Sequence, residues 1–269
     1  MNPQILSVKG LTLGLRETPG TLILDDVSLV VPRGGIVGVV GGSGSGKTTL
    51  GLVLLGMVPP AMQVKAGKVL FEDTDILMLG AEELRRLRGA RVSMSFQEAA
   101  SAFDPVFTVG DQILAAMAAH NPSAGRLARQ KMLDLLALVE VPDPRRVAAN
   151  YPHELSGGLR QRAMLALALS AKPSLLIADE PTSSLDVTLQ ARVMALFRKL
   201  RRELNLSIVL IAHDLGMVER LADDIVVLSQ GRVVGKDHPY ARALMSASSG
   251  SLDGGISSSQ GLDGAAKEM

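Results

Sequence analysis

A glycine-rich segment, GGSGSGKT, occupies residues 41–48 and limits the folds that this chain can adopt more than any other part of the sequence. It fits the pattern G-x-x-x-x-G-K-[ST] and follows a short apolar run, Ile36–Val40, that is typical of a buried strand. Glycines let such a backbone turn tightly, so that its N–H groups point at phosphate oxygens. A helix predicted from Thr49 onward directs the positive end of its dipole at the same phosphate group. The segment therefore indicates a nucleoside triphosphate site at the end of a strand.

Each residue type in this segment has a chemical role. Lys47 is a compact positive charge that reaches the β- and γ-phosphates, and the Thr48 hydroxyl is a suitable ligand for Mg²⁺. A flexible Gly/Ser loop is the alternative, but such a loop does not require lysine and threonine at these positions after a strand. The predicted nucleotide contacts are Gly41, Gly42, Ser43, Gly44, Ser45, Gly46, Lys47, Thr48 and Thr49.

Two adjacent carboxylates form the second chemical signal. The apolar run Leu175–Ala178 is followed directly by Asp179 and Glu180. An aspartate at the end of a strand holds Mg²⁺ in proteins with a phosphate loop, usually through water, and we expect this role for Asp179. Successive side chains of a strand point in different directions, so Glu180 points away from the direction of Asp179. There it is placed to polarise an attacking water as general base. An acidic strand cap leading into the turn at Pro181 is the alternative, and the phosphate loop in the same chain disfavours it.

The order of the apolar runs predicts an α/β fold with a parallel sheet. Strand-like runs alternate with amphipathic helices, as in sheets that helices cover on both faces. The middle of the chain lacks strand signals and contains several prolines, so we expect a helical insertion there, whereas the Ser/Gly-rich tail cannot bury enough apolar surface to fold. The expected division is an ATP-binding core of 1–95 and 160–245, a helical subdomain of 96–159, and a disordered tail of 246–269.

Composition excludes several classes of function. A net charge of +1 and the absence of tryptophan argue against a nucleic-acid partner. The absence of cysteine excludes disulfides, thiol catalysis and cysteine-ligated zinc, and it fits a reducing compartment. The four histidines are scattered and form no metal-ligand pattern. We expect no signal peptide and no membrane-spanning run, so that any membrane association comes through a partner.

A third motif is LSGG at Leu155–Gly158, which continues as Leu159–Arg162 (LRQR). At this point the chain resembles the ATP-binding subunits of ABC transporters, whose signature is LSGG(x)Q. The other landmarks of that family occur in order, because Gln97 matches the Q-loop glutamine, Ser184–Asp186 the D-loop and His213 the switch histidine. The resemblance runs from about residue 4 to residue 245 and omits only the tail.

The resemblance implies a fold, cofactors and catalytic roles. The implied fold is a P-loop NTPase (RecA-like) parallel-sheet core with an N-terminal antiparallel β portion and a helical ABC subdomain. ATP and Mg²⁺ are the implied cofactors, and ATP hydrolysis is the implied reaction. The implied catalytic residues are Glu180, His213 and Gln97, and the implied metal ligands are Thr48, Gln97 and Asp179.

The signature also implies a second subunit. Ser156, Gly157 and Gly158 precede a predicted helix over Leu159–Ser170, so they form a second anion-binding helix N-terminus. In the family this element faces the ATP that the opposite subunit holds, so that two chains enclose two nucleotides head to tail. Asp186 of the D-loop joins Ser156, Gly157 and Gly158 as an implied nucleotide contact.

The implied partners are those of a membrane transporter. They are transmembrane permease subunits, a second ATP-binding subunit that is either identical or different, and indirectly a solute-binding protein. The implied location is the cytoplasmic face of the membrane, as a peripheral subunit. Many members stack an aromatic side chain on adenine, but the corresponding stretch here, Leu11–Leu15, contains none, so we predict no adenine-stacking residue.

Several short segments narrow the resemblance to one branch of the family. Arg86–Gly89, Ser101–Pro105 and His238–Leu244 are similar to segments of dipeptide, oligopeptide and nickel importers. Gly42, where peptide importers usually carry glutamate, and Ala102–Phe103 favour the nickel members slightly. The alternatives are a soluble non-transport ABC-type ATPase, which usually carries paired cassettes, coiled coils or basic patches, and a P-loop kinase or GTPase, which the LSGG motif disfavours.

Overall fold

The structure, a computed structural model, describes residues 3–18, 20–96, 102–120, 127–182, 187–235 and 237–250. Its contacts divide the chain into two units, the first formed by Met1–Met78 with Val209–Met269 and the second by Leu79–Ile208. The division predicted from the sequence has different boundaries and stays a prediction.

The first unit begins with an antiparallel sheet. Its strands are β1 (Gln4–Leu15), β2 (Leu22–Pro32), β4 (Met62–Phe71) and β5 (Thr74–Asp75), in the order β2-β1-β4-β5. Burial alternates along much of β2, as expected for a strand with one face on a core and one in water. This sheet confirms the N-terminal antiparallel portion that the family resemblance implies.

A parallel sheet follows in the same unit. Strand β3 (Ile36–Val40) is parallel to β9 (Asp224–Ser229), and β10 (Arg232–Val234) is antiparallel to β9. Strand β8 (Ser207–Ala212) lies next to β3, and it begins in the second unit and ends in the first. Every residue of β3 and β8 is buried, which explains why their sequences are continuous apolar runs.

Three helices of the first unit connect or follow these strands. They are α1 (Lys47–Leu54), α8 (Leu215–Glu219) and α9 (Pro239–Gly250). Helix α9 includes residues 246–250, which the sequence assigned to the disordered tail, and the rest of that tail, 251–269, lies outside the described residues.

The second unit combines two parallel strands with helices. Strand β6 (Val92–Ser95) pairs with β7 (Leu175–Asp179) in parallel. The helices that the structure describes in this unit are α2 (Ala81–Leu87), α3 (Val109–His120), α4 (Ala128–Leu138), α5 (Pro144–Ala149), α6 (Gly157–Leu169) and α7 (Val187–Leu204).

Local sequence signals explain where two of these helices begin. The Asp143 carboxylate accepts a hydrogen bond from the Arg146 backbone N–H at 3.1 Å, and Pro144 occupies the first position of α5. Ser156 precedes α6 and caps it in the same way. No helix within the described ranges is long and apolar enough to cross a membrane.

Candidate functional site

The phosphate loop connects β3 to α1 in the first unit, and its glycines are required by close packing. A Cβ atom on Gly41 would lie 2.2 Å from the Leu228 carbonyl oxygen, which leaves no space for a side chain. Gly46, which precedes α1, has a φ of 99°, a conformation that glycine adopts without steric cost. The loop therefore has its shape because these two residues lack side chains.

The Lys47 ammonium group is held inside this loop. Lys47 is only 6% exposed, and its Nζ donates hydrogen bonds to the carbonyl oxygens of Gly41 at 2.8 Å and Gly42 at 2.7 Å. A buried ammonium requires such partners because leaving water is costly for a charge. A phosphate anion is a stronger partner for this cation than neutral carbonyl groups are.

Two further features of the loop fit an anion. The Ser45 hydroxyl is buried and has no hydrogen-bond partner in the described part of the chain, although buried hydroxyls are normally paired. The N-terminus of α1 has no side-chain cap and no acidic residue in its first turn, so its N–H groups are not satisfied by a carboxylate of the helix. An uncapped helix N-terminus, a buried ammonium and an orphan hydroxyl together fit a polyphosphate.

His213 follows β8 in the first unit, and the phosphate loop follows the neighbouring strand β3. The His213 side chain is exposed. The next residue, Asp214, accepts a hydrogen bond from the Met217 backbone N–H at 3.2 Å and so caps α8. The histidine is therefore held between the end of a buried strand and the start of a capped helix.

The two predicted carboxylates end β7 in the second unit. Asp179 is the last residue of the strand and is 2% exposed. Glu180 is partly exposed and has a φ of 45°, in the left-handed region that non-glycine residues seldom occupy. This backbone conformation turns the chain immediately after the strand, and such conformations are often found at functional sites.

The signature residues form the N-terminus of α6, also in the second unit. The Ser156 hydroxyl accepts a hydrogen bond from the Leu159 backbone N–H at 3.4 Å, and both Ser156 and Gly157 are exposed. Outside its own helix, a Cβ atom on Gly157 would meet no heavy atom of the described residues within 4 Å, and one on Gly158 would meet the Leu189 Cδ2 atom at 3.8 Å. The tip of this helix is therefore open to an approaching molecule.

The predicted site residues thus form two groups, one in each unit of the structure. Gly41–Thr49 and His213 belong to the first unit, whereas Asp179, Glu180 and Ser156–Gly158 belong to the second. The predicted residues Gln97 and Asp186 lie outside the described residues.

Three residues near these groups were not predicted. A Cβ atom on Gly42 would lie 3.1 Å from the Tyr240 hydroxyl oxygen, so the start of α9 lies against the phosphate loop. The side-chain amides of Gln161 and Gln190 donate hydrogen bonds to the carbonyls of the two residues that follow Glu180. The motif around Tyr240 was visible in the sequence, but no sequence signal indicates contacts between residues so far apart.

Comparison with known families agrees with these features. Residues 24–183 match the family model described as ABC transporter. The dipeptide transport ATP-binding protein DppD of Bacillus subtilis is 39% identical over 254 residues, which cover 90% of this chain and 76% of that protein. The protein of the same name from Escherichia coli K12 is 41% identical over 234 residues, which cover 83% of this chain and 72% of that protein.

Solved structures give the same result for the fold. A dimeric bacterial ABC transporter cassette superposes with a TM-score of 0.75 at 27% identity, and the match covers 86% of this chain and 97% of that one. The same TM-score and coverage hold for a post-hydrolysis state of an ATP-binding cassette bound to ADP and phosphate. These matches confirm the predicted P-loop α/β fold class.

Proposed function

The chain belongs to the ABC transporter family, and we propose that it is the ATP-hydrolysing subunit that powers an importer of di- or oligopeptides. The observation that carries the proposal is the phosphate loop, in which a buried ammonium, an orphan hydroxyl and an uncapped helix N-terminus converge. The peptide class comes from relatives that are named for dipeptide transport and are about 40% identical over most of the chain.

ATP is held by residues 41–49 in this proposal. The Lys47 Nζ exchanges the Gly41 and Gly42 carbonyls for β- and γ-phosphate oxygens, and the Ser45 hydroxyl gains the partner that it lacks. The backbone N–H groups at the start of α1 face the same phosphates. The Lys47 ammonium then contacts charged oxygens in place of neutral carbonyl groups, and the Ser45 hydroxyl is no longer buried without a partner.

Mg²⁺ is a further part of the proposal. Thr48, Asp179 and Gln97 are the ligands that the family resemblance assigns, and hydroxyl, carboxylate and amide oxygens are the donor types that this cation prefers. When bound, the ion neutralises charge that develops on the phosphates. The Glu180 carboxylate accepts a proton from the attacking water, and His213 stabilises the γ-phosphate and the carboxylate.

A second ATP-binding subunit completes the site in this proposal. Ser156, Gly157, Gly158 and Asp186 of one chain face the nucleotide that the other chain holds. The open surroundings of Gly157 and Gly158 support this assignment, since a phosphate group needs close access to the backbone N–H groups of the helix tip. Either a copy of this chain or a different ATP-binding subunit fits the same role.

A permease is the remaining direct partner, and we assign its docking to the helical subdomain of 96–159. Val106 and Phe107 there are 68% and 54% exposed. The Gln112 side-chain amide donates to the carbonyl oxygens of Asp104 at 2.9 Å and Phe107 at 3.0 Å, and these bonds hold the loop that presents the two apolar side chains. Phe107→Ser should lower the amount of permease that copurifies with the chain while leaving ATP binding unchanged.

The cargo and location complete the proposal. The subunit lies on the cytoplasmic face of the membrane, and a solute-binding protein acts only through the permease, without touching this chain. The similarity of Gly42 and Ala102–Phe103 to nickel importers stays a prediction, and the names of the relatives favour peptides.

The experiment that tests the reaction compares two substitutions with a matched control. Lys47→Ala should weaken binding of a fluorescent ATP analogue by about a hundredfold, because it removes the positive charge that contacts phosphate. Glu180→Gln should bind that analogue as the parent does but lose turnover. Glu203→Gln, an exposed position near the end of α7, removes the same charge elsewhere and should change neither quantity.

Two results would contradict the assignments. Unchanged affinity in Lys47→Ala would remove that residue from the nucleotide site, and turnover at the parental rate in Glu180→Gln would remove the general base. Uptake of a radiolabelled dipeptide and of nickel, measured in cells that carry either the parental chain or Glu180→Gln, identifies the cargo. Loss of nickel uptake with retained dipeptide uptake would overturn the peptide assignment.

A further inference from the structure

The turn that follows Glu180 is held by side chains from two different helices. Glu180 occupies the left-handed region with a φ of 45°, and a non-glycine residue keeps such a conformation only where its surroundings impose it. The next two residues, Pro181 and Thr182, are buried, and Thr182 is only 3% exposed. The surroundings of these two residues therefore determine the backbone that carries the Glu180 carboxylate.

Two glutamine side chains provide these surroundings. The Gln161 Nε2 atom, on α6, donates a hydrogen bond to the Pro181 carbonyl oxygen. The Gln190 Nε2 atom, on α7, donates to the Thr182 carbonyl oxygen at 3.4 Å. Losing either donor removes a partner from the carbonyl of a buried residue, which disfavours the observed turn.

The surroundings of Gln161 strengthen its hydrogen bond. Gln161 lies beside a cavity whose lining is mostly apolar, formed in part by Leu165, Val193 and Phe197. In surroundings of low polarity a hydrogen bond is stronger than in water, and Gln161 itself is partly buried. The contact between α6 and the Pro181 turn is therefore specific.

Gln161 also belongs to the helix whose tip is Ser156. The two residues are five positions apart, and the same helix is fixed at Arg162, whose guanidinium lies 3.5 Å from the Glu140 carboxylate and also donates to the Glu140 carbonyl oxygen. A short helix moves as a rigid element, so a displacement at its tip reaches Gln161 and the turn that Gln161 holds.

We propose that Gln161 is a positioning residue that links the signature tip of α6 to the turn bearing the Glu180 carboxylate, with Gln190 as a weaker second holder. The inference rests on the proposed function, in which Ser156 faces one nucleotide and Glu180 acts on another. Gln161 then lets contact at the first nucleotide set the orientation of the base at the second.

The test uses the full chain and measures kcat, KM and nucleotide affinity separately. Gln161→Met keeps the size of the side chain but removes the donor, and it should lower kcat about tenfold while KM and the affinity for a fluorescent ATP analogue stay within about twofold. Gln190→Met should lower kcat less, because 3.4 Å is at the long limit for a hydrogen bond. The control is Gln130→Met on α4, which removes an exposed amide bonded to Asp134 and should change nothing.

The pH dependence of kcat in Gln161→Glu distinguishes a hydrogen-bonding role of this side chain from a role in packing alone. As a carboxylate this side chain repels the Pro181 carbonyl, but once protonated it donates a hydrogen bond to it. Its kcat relative to the parent should therefore rise as pH falls from about 8 to about 6, since partial burial beside a carbonyl oxygen raises the pKa of a carboxyl group. This measurement also decides the question if Gln161→Met does not fold.

The outcomes separate this inference from the proposed function. If Glu180→Gln abolishes turnover but Gln161→Met keeps the parental kcat, or Gln161→Glu shows no relative gain at low pH, the positioning role is wrong and the general base stands. If Glu180→Gln itself turns over normally, the proposed function fails first. A fall in kcat together with an equal loss of nucleotide affinity would make Gln161 a residue that only supports the fold.

Discussion

The glycines of the phosphate loop and those of the signature tip are surrounded very differently. In the loop, a Cβ atom on Gly41 would lie 2.2 Å from a backbone carbonyl oxygen, and Gly46 has a φ of 99°. At the tip of α6, a Cβ atom on Gly157 would have no heavy atom of the described residues within 4 Å beyond its own helix, and one on Gly158 would meet Leu189 at an ordinary contact distance. Neither tip glycine has a positive φ.

This difference separates two reasons for a glycine in a motif. The fold of the first unit requires glycine at positions 41 and 46, because a side chain there collides with the chain itself or strains the backbone. Nothing within the described part of the chain requires glycine at positions 157 and 158. If glycine matters there, the reason is a molecule that approaches the tip from outside.

The largest effect is expected for Gly41→Ala, which tests the loop side of this comparison. The added methyl group collides with the Leu228 carbonyl on β9, so β3 or β9 must shift. We expect the free energy of unfolding to fall by about 3 kcal/mol, as for severe overpacking in a core. Urea denaturation followed by circular dichroism measures this change.

A control for that experiment is Gly235→Ala, because a Cβ atom there would meet no non-neighbouring atom within 4 Å among the residues that the structure describes. It should leave the denaturation midpoint unchanged. An unfolding free energy for Gly41→Ala equal to that of the parent would contradict the view that the fold itself excludes a side chain at this position.

Most of the fold and much of the candidate site could be predicted from the sequence because both rest on local patterns. The predicted strands Ile36–Val40 and Ser207–Ala212 agree with the structure residue for residue, since a strand buried on both faces is a continuous apolar run. The phosphate loop and the two carboxylates at the end of β7 were predictable for the same reason, as each is a short motif beside such a run.

The contacts between distant segments could not be predicted. The hydrogen bond from Gln161 to the Pro181 carbonyl joins residues 20 positions apart, and the approach of Tyr240 to Gly42 joins the end of the chain to its first third. Periodicity describes which face of an element is buried but not which residue opposes it. The left-handed conformation of Glu180 likewise depends on its surroundings and not on its own residue type.

An intermediate effect is expected for Gly157→Ala, which tests the tip side of the comparison. The methyl group meets nothing in the described chain beyond its own helix, and alanine is tolerated at the first position of a helix, so the thermal midpoint should not fall. Affinity for an ATP analogue should not change. The ATPase rate should nevertheless fall about tenfold, because the methyl group blocks close approach of a phosphate to the helix tip.

This combination of a stable fold, intact binding and slow turnover is what distinguishes the tip from the loop. Lys199→Ala on α7 is a control for substitution away from the tip, since its ammonium donates to the Leu138 carbonyl oxygen at 3.3 Å, and it should leave the ATPase rate unchanged. Parental ATPase activity in Gly157→Ala would show that no ligand needs the open space at position 157.

The smallest effect is expected at Gly42, which refines the comparison because its neighbour is a side chain and not backbone. A Cβ atom there would lie 3.1 Å from the Tyr240 hydroxyl oxygen, so Gly42→Ala should weaken nucleotide affinity about twofold by displacing the loop or the tyrosine. Tyr240→Phe removes the hydroxyl, and in the double variant we expect parental affinity to return. Titration of all three variants with one fluorescent ATP analogue measures this coupling. Purely additive effects would mean that Gly42 and Tyr240 are not coupled. Restored affinity would show that a side chain is tolerated at position 42 once its neighbour on α9 is made smaller.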